Sequence, residues 1–337
     1  MKRSTTAAPS GLVTLTPAAT DFADSLDATS QSIGGITVPR TNCLGRLSIN
    51  VPSQPANVLT VTIASNVVGD GTGTAELGVG VYIDGVYSQS LVPVAADVET
   101  FKIGLPIGGH TVTLVNAYAQ HGLGTFIYQV QGYGISLIPP PASVSKSITI
   151  YGDSIAAGAV ASPNAQNGWA CRVRARLPDG VRYQGWGGKQ LKDDASGANG
   201  GFASLAVTSQ RLVDLANLGS PTTRIIWLAI GINDVIQNSY GSAAAFGTDY
   251  GSLLDLIHTK DSGVIIVAQS MLITTGQEGS APAYRTQIQT LAGARSFVTF
   301  VDGTALMTAG GLSGDGLHPS TTGHGTVFTN VRPTLLV

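Results

Sequence analysis

The sequence predicts two units in tandem: an antiparallel β-sandwich of jelly-roll-like kind, then a three-layer α/β/α unit built on a parallel sheet. Three observations carry that prediction. Between about residues 21 and 138, short β-type runs alternate with turn residues and show almost no helical periodicity. From residue 147 onward, apolar runs of strand length alternate with amphipathic helical stretches, the pattern of a parallel sheet covered on both faces. Between them stands Pro139-Pro140-Pro141, where fixed φ and missing N–H groups exclude both helix and central strand.

A chain of 337 residues is long enough for two cores. The expected division is a flexible lead-in over residues 1–20, rich in Ser, Thr, Ala and Pro. A sandwich over 21–138, a proline-rich linker over 139–146 and the α/β/α unit over 147–337 follow. Strands of the sandwich are expected at 46–51, 58–64, 77–83, 99–105, 111–117 and 126–137. Asp84-Gly85 lies between aromatic and β-branched flanks, Val81-Tyr82-Ile83 and Val86-Tyr87, and so marks a hairpin. In the second unit the expected strands are 148–151, 181–183, 224–229, 264–268 and 297–301. The helices that cover them are expected at 167–177, 202–218, 242–260, 282–294 and 321–331. In such a sheet, chemistry belongs at the carboxyl ends of the strands.

Composition narrows the function. Charged residues make up 11% of the chain, against about 25% in an average globular protein, and there are 43 glycines. The net charge is −2 with no basic block, so the long-range attraction behind nucleic-acid binding is missing, as is affinity for an anionic membrane. No apolar run reaches the ~20 residues of a bilayer span. Met1-Lys2-Arg3 is followed by small polar residues and no apolar core, so no secretory leader is expected. The low charge and the Ser/Thr/Gly-rich first unit suit an extracellular or virion-borne setting. Cys43 and Cys171 fall in different units and read as free buried thiols, with no disulfide framework. No metal-ligand spacing, phosphate loop or dinucleotide fingerprint is present, so neither metal nor cofactor is expected. His110 and His121 stand apart in sequence from any Cys or Asp cluster and read as surface or turn residues, His258 sits late in a helix where a cation complements the dipole, and His324 reads as a packing or helix-start residue.

Four segments hold residues that can do chemistry. The run Ser147-Ile148-Thr149-Ile150-Tyr151 breaks at Gly152-Asp153-Ser154 into small residues that can open a helix. That corner would lift a serine off the sheet edge beside free N–H groups. After the second strand comes Gln184-Gly185-Trp186-Gly187-Gly188-Lys189. After the third comes Gly231-Ile232-Asn233-Asp234, and near the end Gly314-Asp315-Gly316-Leu317-His318-Pro319. Each alone also reads as a turn or strand exit built from common turn formers. Together and in order, they resemble the four blocks of the SGNH hydrolases, the GDSL lipase/esterase superfamily. The resemblance spans about residues 148–325 and implies a flavodoxin-like sheet. Ile155 stands where the GDSL name has Leu, and the glycine block is the loosest, with Gly188 fitting by position and Gly187 its rival.

The resemblance implies Ser154 as nucleophile and His318 as its base. A serine hydroxyl is a poor nucleophile until a base takes its proton. Asp315 would hold the other ring nitrogen and stabilise the imidazolium. The oxyanion donors would be the N–H groups of Ser154 and Gly188 and the Asn233 amide, with Asp153 and Asp234 bracing their loops. Trp186 would stack on a sugar, line an acyl pocket or join the core. The implied reaction is hydrolysis of a carboxylic ester through an acyl-enzyme. A preceding β-sandwich resembles carbohydrate esterases that act on O-acetylated polysaccharides, so an O-acetylated glycan is the expected substrate. A general short-chain esterase or lipase, and a non-enzymatic glycan-binding protein with a silent hydrolase fold, remain the alternatives.

Overall fold

The computed structural model describes residues 11–17, 30–33, 36–39, 46–53, 58–65, 78–94, 97–116, 119–120, 123–139, 141, 143–161, 167–177, 180–185, 187–196 and 204–335. Cys43, His121 and Trp186 lie outside them.

Period-2 alternation builds the first unit. In strand β4 (Arg46–Val51), Leu47, Ile49 and Val51 are buried while Asn50 faces out. One antiparallel sheet has the order β1 (Leu12–Leu15), β11 (Leu123–Tyr133), β5 (Val58–Ser65), β8 (Val98–Gly104), with β10 (Ala119–Gln120) beside β11. The other runs β12 (Ser136–Ile138), β4, β9 (His110–Asn116), β6 (Val79–Ile83), β7 (Val86–Leu91). A two-stranded ribbon pairs β2 (Ser30–Ile33) with β3 (Ile36–Pro39). Leu47, Ile49 and Leu114 from one sheet meet Leu59, Val61 and Val130 from the other in a single core.

Asp84 and Gly85 join β6 to β7 with φ of 51° and 81°, the left-handed pair that a two-residue hairpin requires. Two elements differ from expectation. The run 126–137 is not one strand: it breaks at Gly134, which sits at φ 60°. There β11 leaves one sheet, buried Ile135 drops into the core, and β12 joins the other sheet against β4. Within the expected lead-in, Leu12–Leu15 pairs as an edge strand with β11. Four residues are too few for alternation to show against a Ser/Thr/Ala/Pro background.

The second unit is a parallel sheet of order β14-β13-β15-β16-β17. Its strands are β13 (Lys146–Gly152), β14 (Val181–Gly185), β15 (Thr223–Ala229), β16 (Ile265–Gln269) and β17 (Val298–Val301). The helices are α1 (Ser154–Ala157), α2 (Trp169–Arg176), α3 (Leu191–Ser196), α4 (Leu205–Asn217), α5 (Ile232–Ile236), α6 (Ala243–Lys260), α7 (Ala281–Gly293), α8 (Gly303–Leu306) and α9 (Thr321–Leu335). Helix α2 packs on α9, and α4, α6 and α7 pack side by side. Strand β13 is buried on both faces from Ser147 to Gly152, so the small polar residues Ser147 and Thr149 are enclosed along with Ile148, Ile150 and Tyr151. Its carboxyl end lies between those of β14 and β15. Gly152 is in register with Gly185 on one side and Ala229 on the other. No helix among the described residues is long and apolar enough to cross a membrane.

His324, near the start of α9, is fully buried. Its Nδ1 accepts the Trp169 N–H at 3.4 Å, and its Nε2–H donates to the Ala159 carbonyl at 3.3 Å. These partners need the neutral ring. Burial holds its pKa down to about 4. The unfolded chain therefore takes up this proton first, and the stability tied to it is lost as pH falls from about 6.5 towards 4. His324→Gln cannot titrate. Its urea-derived stability should fall less between pH 7 and pH 5, by about 2 kcal/mol relative to the parent chain. Parallel pH dependences for the two proteins would refute this reading.

Candidate active site

The corner after β13 is built from small residues because the backbone is crowded there. A Cβ on Gly152 would sit 2.6 Å from the Ala156 Cβ. Asp153 caps α1: its Oδ1 accepts the Ile155 N–H at 3.0 Å, and its backbone carbonyl accepts the Tyr183 hydroxyl at 2.6 Å. Ser154 is then the first residue of α1, and Gly158 ends the helix at φ 91°. The result is a serine only 7% exposed, pinned at the carboxyl edge of the central strand.

Ser154 Oγ lies 2.9 Å from His318 Nε2, and His318 Nδ1 lies 2.7 Å from Asp315 Oδ2. The carboxylate can only accept, so Nδ1 carries the proton and Nε2 accepts from the serine. Burial works against ionisation of Asp315. Hydrogen bonds from Ser313 Oγ, the His318 ring and the N–H groups of Leu317 and His318 outweigh it and hold the carboxyl well below its usual range. The loop carrying both residues is closed by Ser313 N–H donating to the His318 carbonyl at 2.8 Å. Gly316, at φ 68°, lies against Thr275, where a Cβ would come within 2.1 Å of the threonine Oγ1. Thr275 N–H donates to the Gly316 carbonyl at 2.9 Å. A hydroxyl, an imidazole and an ionised carboxylate in series can move a proton off the oxygen as that oxygen attacks an electrophile.

The two other blocks leave the strands that flank β13. Gly188 has φ 79° and is exposed, and the fully buried Lys189 follows it. Asn233 is 8% exposed in α5, and its Nδ2 donates to the Lys189 carbonyl at 3.1 Å. One N–H of that amide thus locks it to the glycine loop, and the other remains for a further acceptor. Asp234 accepts the N–H groups of Leu191 and Lys192, each at 3.0 Å, and so satisfies the first turn of α3. Burial raises the pKa of Asp234 to about 6, against the pull of those two donors. Burial likewise raises Asp153 to about 7, helped by the charge of Asp234.

The structure therefore joins Ser154, His318 and Asp315 in one hydrogen-bonded chain and ties Asn233 to the loop of Gly188. His110 instead pairs with Asp84 at 2.7 Å, and His258 stacks on Phe297. Cys171 is buried in α2. Among the described residues, no group of three or more His, Cys, Asp or Glu side chains could hold a metal ion. Sequence reasoning did not single out Tyr183, Thr275 or Ser313. Of these, only Ser313 had a signal, a turn former two residues before Asp315.

The sequence profile of the GDSL-like Lipase/Acylhydrolase family matches residues 150–325. The chain belongs to this family. A search of curated protein sequences finds no match. Among solved structures, the salicylyl-acyltransferase SsfX3 from a tetracycline biosynthetic pathway is similar at a TM-score of 0.67 and 17% identity, with 96% of each chain covered. A family two carbohydrate esterase from Cellvibrio japonicus gives 0.64 at 18% identity, over 96% of this chain and 99% of that one. The acetyl xylan esterase Est2A from the rumen bacterium Butyrivibrio proteoclasticus gives 0.55 at 14% identity, over 92% of this chain and 97% of that one. At such identities the likeness is one of fold, and it takes in both units, the sandwich as well as the family domain.

The bracing by Asp234 is testable without an activity assay. Asp234→Asn keeps the shape but sets an amide NH₂ against one of the two backbone N–H groups. Unfolding free energy at pH 8 should drop by about 1–3 kcal/mol, and the Leu191 and Lys192 amides should exchange faster. Unchanged exchange at those two positions would remove Asp234 from this role.

Proposed function

We propose that this protein is a serine esterase that removes acetyl groups from an O-acetylated carbohydrate through an acyl-enzyme. The observation that carries the reading is the continuous chain from Ser154 through His318 to Asp315. Ser154 Oγ attacks the ester carbonyl carbon while its proton passes to His318 Nε2. The carbonyl oxygen becomes an oxyanion, met by the N–H groups of Ser154 and Gly188 and by the second N–H of the Asn233 amide. Asp315, held ionised by its four donors, stabilises the imidazolium. The tetrahedral species collapses: the C–O bond to the sugar breaks, His318 returns the proton to the sugar oxygen, and acetyl-Ser154 remains. Water repeats the sequence, releasing acetate and restoring the serine.

The choice of an acetylated sugar is supported by the likeness to a carbohydrate esterase and an acetyl xylan esterase over both units. It assigns the chemistry to residues 147–337 and contact with the polymer to the sandwich at 21–138. The test is an ester panel that sets acetyl against longer acyl chains and acetylated xylan or oligosaccharides against p-nitrophenyl esters. Acetate release from the acetylated glycans, with activity falling as the acyl chain lengthens, is the expected result. Equal or better turnover of long-chain esters would leave a general lipase. Acyl transfer to an added alcohol without hydrolysis would leave an acyltransferase, as in the similar SsfX3 fold.

Two variants test the residues. Ser154→Ala should lose turnover and labelling by a fluorophosphonate probe while its melting curve stays that of the parent. Labelling at another serine with activity kept would remove Ser154 as nucleophile. Asn233→Ala should lower kcat by about 10²–10³-fold with little change in KM, because its donor is used mainly in the transition state. A large drop in melting temperature with near-normal kcat would make Asn233 a structural residue instead.

A further inference from the structure

The sandwich holds a second histidine–aspartate contact, which takes no part in the chemistry above. His110, the first residue of β9, reaches across to the turn between β6 and β7. Its Nδ1 lies 2.7 Å from Asp84 Oδ2, and its Nε2 lies 3.1 Å from the carbonyl oxygen of Pro106, in the loop between β8 and β9. The ring is largely enclosed, its side chain 12% exposed. Backbone bonds fix the carboxylate. Asp84 sits at φ 51° in the hairpin turn, its N–H donates to the Thr111 carbonyl at 2.8 Å, and its Oδ1 accepts the Thr111 N–H at 2.9 Å. Oδ2 is thereby aimed at the ring one residue before Thr111. On the other side the loop passes over the ring at Gly108, φ 136°, where a Cβ would stand 3.6 Å from Nε2.

Both partners of the ring are acceptors. A carboxylate and a carbonyl have no proton to give, so the two bonds exist together only when both ring nitrogens carry one, as in the imidazolium. The neutral ring has a single N–H. That N–H stays with the carboxylate, because a charged acceptor at 2.7 Å outcompetes a neutral one at 3.1 Å. Nε2 then turns a lone pair towards the Pro106 oxygen, and the contact becomes repulsive. The segments around the ring are 82–87, 104–109 and the end of β4 at 51–53, where Val51 is its register partner. In them Asp84 is the only charged residue, and Tyr82 and Tyr87 are the only other ionisable ones. The bond to Asp84 accordingly raises the pKa of His110 above its ordinary 6.5, and the same bond lowers that of Asp84.

We propose that His110 is a pH-operated clamp: as imidazolium it fastens the loop 105–109 to the β6–β7 turn, and on losing its proton it lets go of Pro106 while keeping Asp84. The folded chain holds this proton more tightly than the unfolded chain. The clamp's contribution to stability is therefore complete below pH 6.5 and is lost as pH rises through the higher folded value. His324 has the opposite sense, since its contribution is lost as pH falls. The loop that the clamp releases carries Ile107, at 89% the most exposed large hydrophobic side chain among the described residues. The clamp thus decides whether that side chain is presented in one fixed place on the sandwich surface. This inference does not rest on the esterase reading.

Nitrogen-15 NMR of the full chain, with histidine labelled at both ring nitrogens, tests it between pH 5 and pH 9. His110 is assigned by sequential connectivity and confirmed by its loss in His110→Gln. Both its ring nitrogens should keep imidazolium shifts to a pH above 6.5. Asp84→Asn removes the charge and suits the left-handed turn, and it should bring the titration back down. Amide exchange at Ile107, Gly108 and Gly109, corrected for its intrinsic rise with pH, should quicken several-fold as the ring titrates. His110→Gln should show no such step, and its stability gap to the parent in urea should narrow over the same pH range. Should either variant fail to fold, the titration and the exchange in the parent chain still decide. Titration of His110 at or below 6.5, a titration unmoved by Asp84→Asn, or loop exchange that ignores the titration would overturn the clamp.

Discussion

The carbonyl of Gly152 and the α-carbon of Gly185 leave no room for one more carbon atom. A Cβ on Gly185 would stand 1.9 Å from that oxygen, and Gly185 also takes a φ of 151° that favours glycine. The two residues are register partners at the ends of β13 and β14. This close approach lets the two strands end side by side and lets the chain turn at once into α1. The small side chains of Ala156 and Ala157 extend the same economy, since α1 closes directly over Gly152. The reach from Ser154 to His318 depends on that corner. A bulkier turn would carry the hydroxyl off the strand end, away from an imidazole delivered by a loop 164 residues later.

Three carboxyls near that corner show how environment sorts one side-chain type into separate tasks. Burial raises Asp153 and Asp234, and both spend their oxygens on backbone N–H groups: Ile155 for the first, Leu191 and Lys192 for the second. Their role is to hold loops. Asp315 is the exposed one of the three, its side chain 41% accessible, and its donors converge to keep it negative. Only that carboxyl meets the imidazole. A negative charge there stabilises a protonated ring: burial penalises ionisation of all three carboxyls, but at Asp315 the converging hydrogen bonds outweigh it, whereas at Asp153 and Asp234 they do not.

Much of this was legible in the residues. Asp84-Gly85 announced its hairpin because two successive left-handed residues are rarely satisfied by anything else. Strands β15 and β16 stood out because strands buried on both faces read as nearly unbroken apolar runs, Ile225–Ala229 and Ile265–Ala268. Gly134 escaped notice for the opposite reason. The β-type pattern continues on both sides of it, so nothing local says that the strand changes sheets there. The partnership of His110 with Asp84 depends on β6 pairing with β9, which sets Ile83 opposite Val112 and so brings the ends of those strands together. Residue types for the site could be read from four short blocks. The contacts that hold those blocks at their angles, such as Tyr183 on Asp153 and Thr275 on Gly316, join residues 30 and 41 positions apart and leave no local pattern.

One of those distant supports reaches the imidazole through a single guanidinium. Arg285, 9% exposed in α7, donates to the Met271 carbonyl at 2.9 Å and the Leu272 carbonyl at 2.6 Å, and it grips both oxygens of Glu278 at 2.7 Å. Glu278 in turn accepts the Thr274 N–H at 2.8 Å. The stretch after β16 is thereby held at Met271, Leu272 and Thr274, and the next residue, Thr275, carries the Gly316 carbonyl. Gly316 sits between Asp315 and His318 in the turn that aims the ring at Ser154. An ammonium could not replace this fork, in which three coplanar nitrogens, Nε, Nη1 and Nη2, reach four acceptors in fixed directions. In a chain with so few charges, a buried arginine is placed where a loop without regular structure must nevertheless keep one shape, and here the loop it holds is the one on which the turn carrying His318 rests.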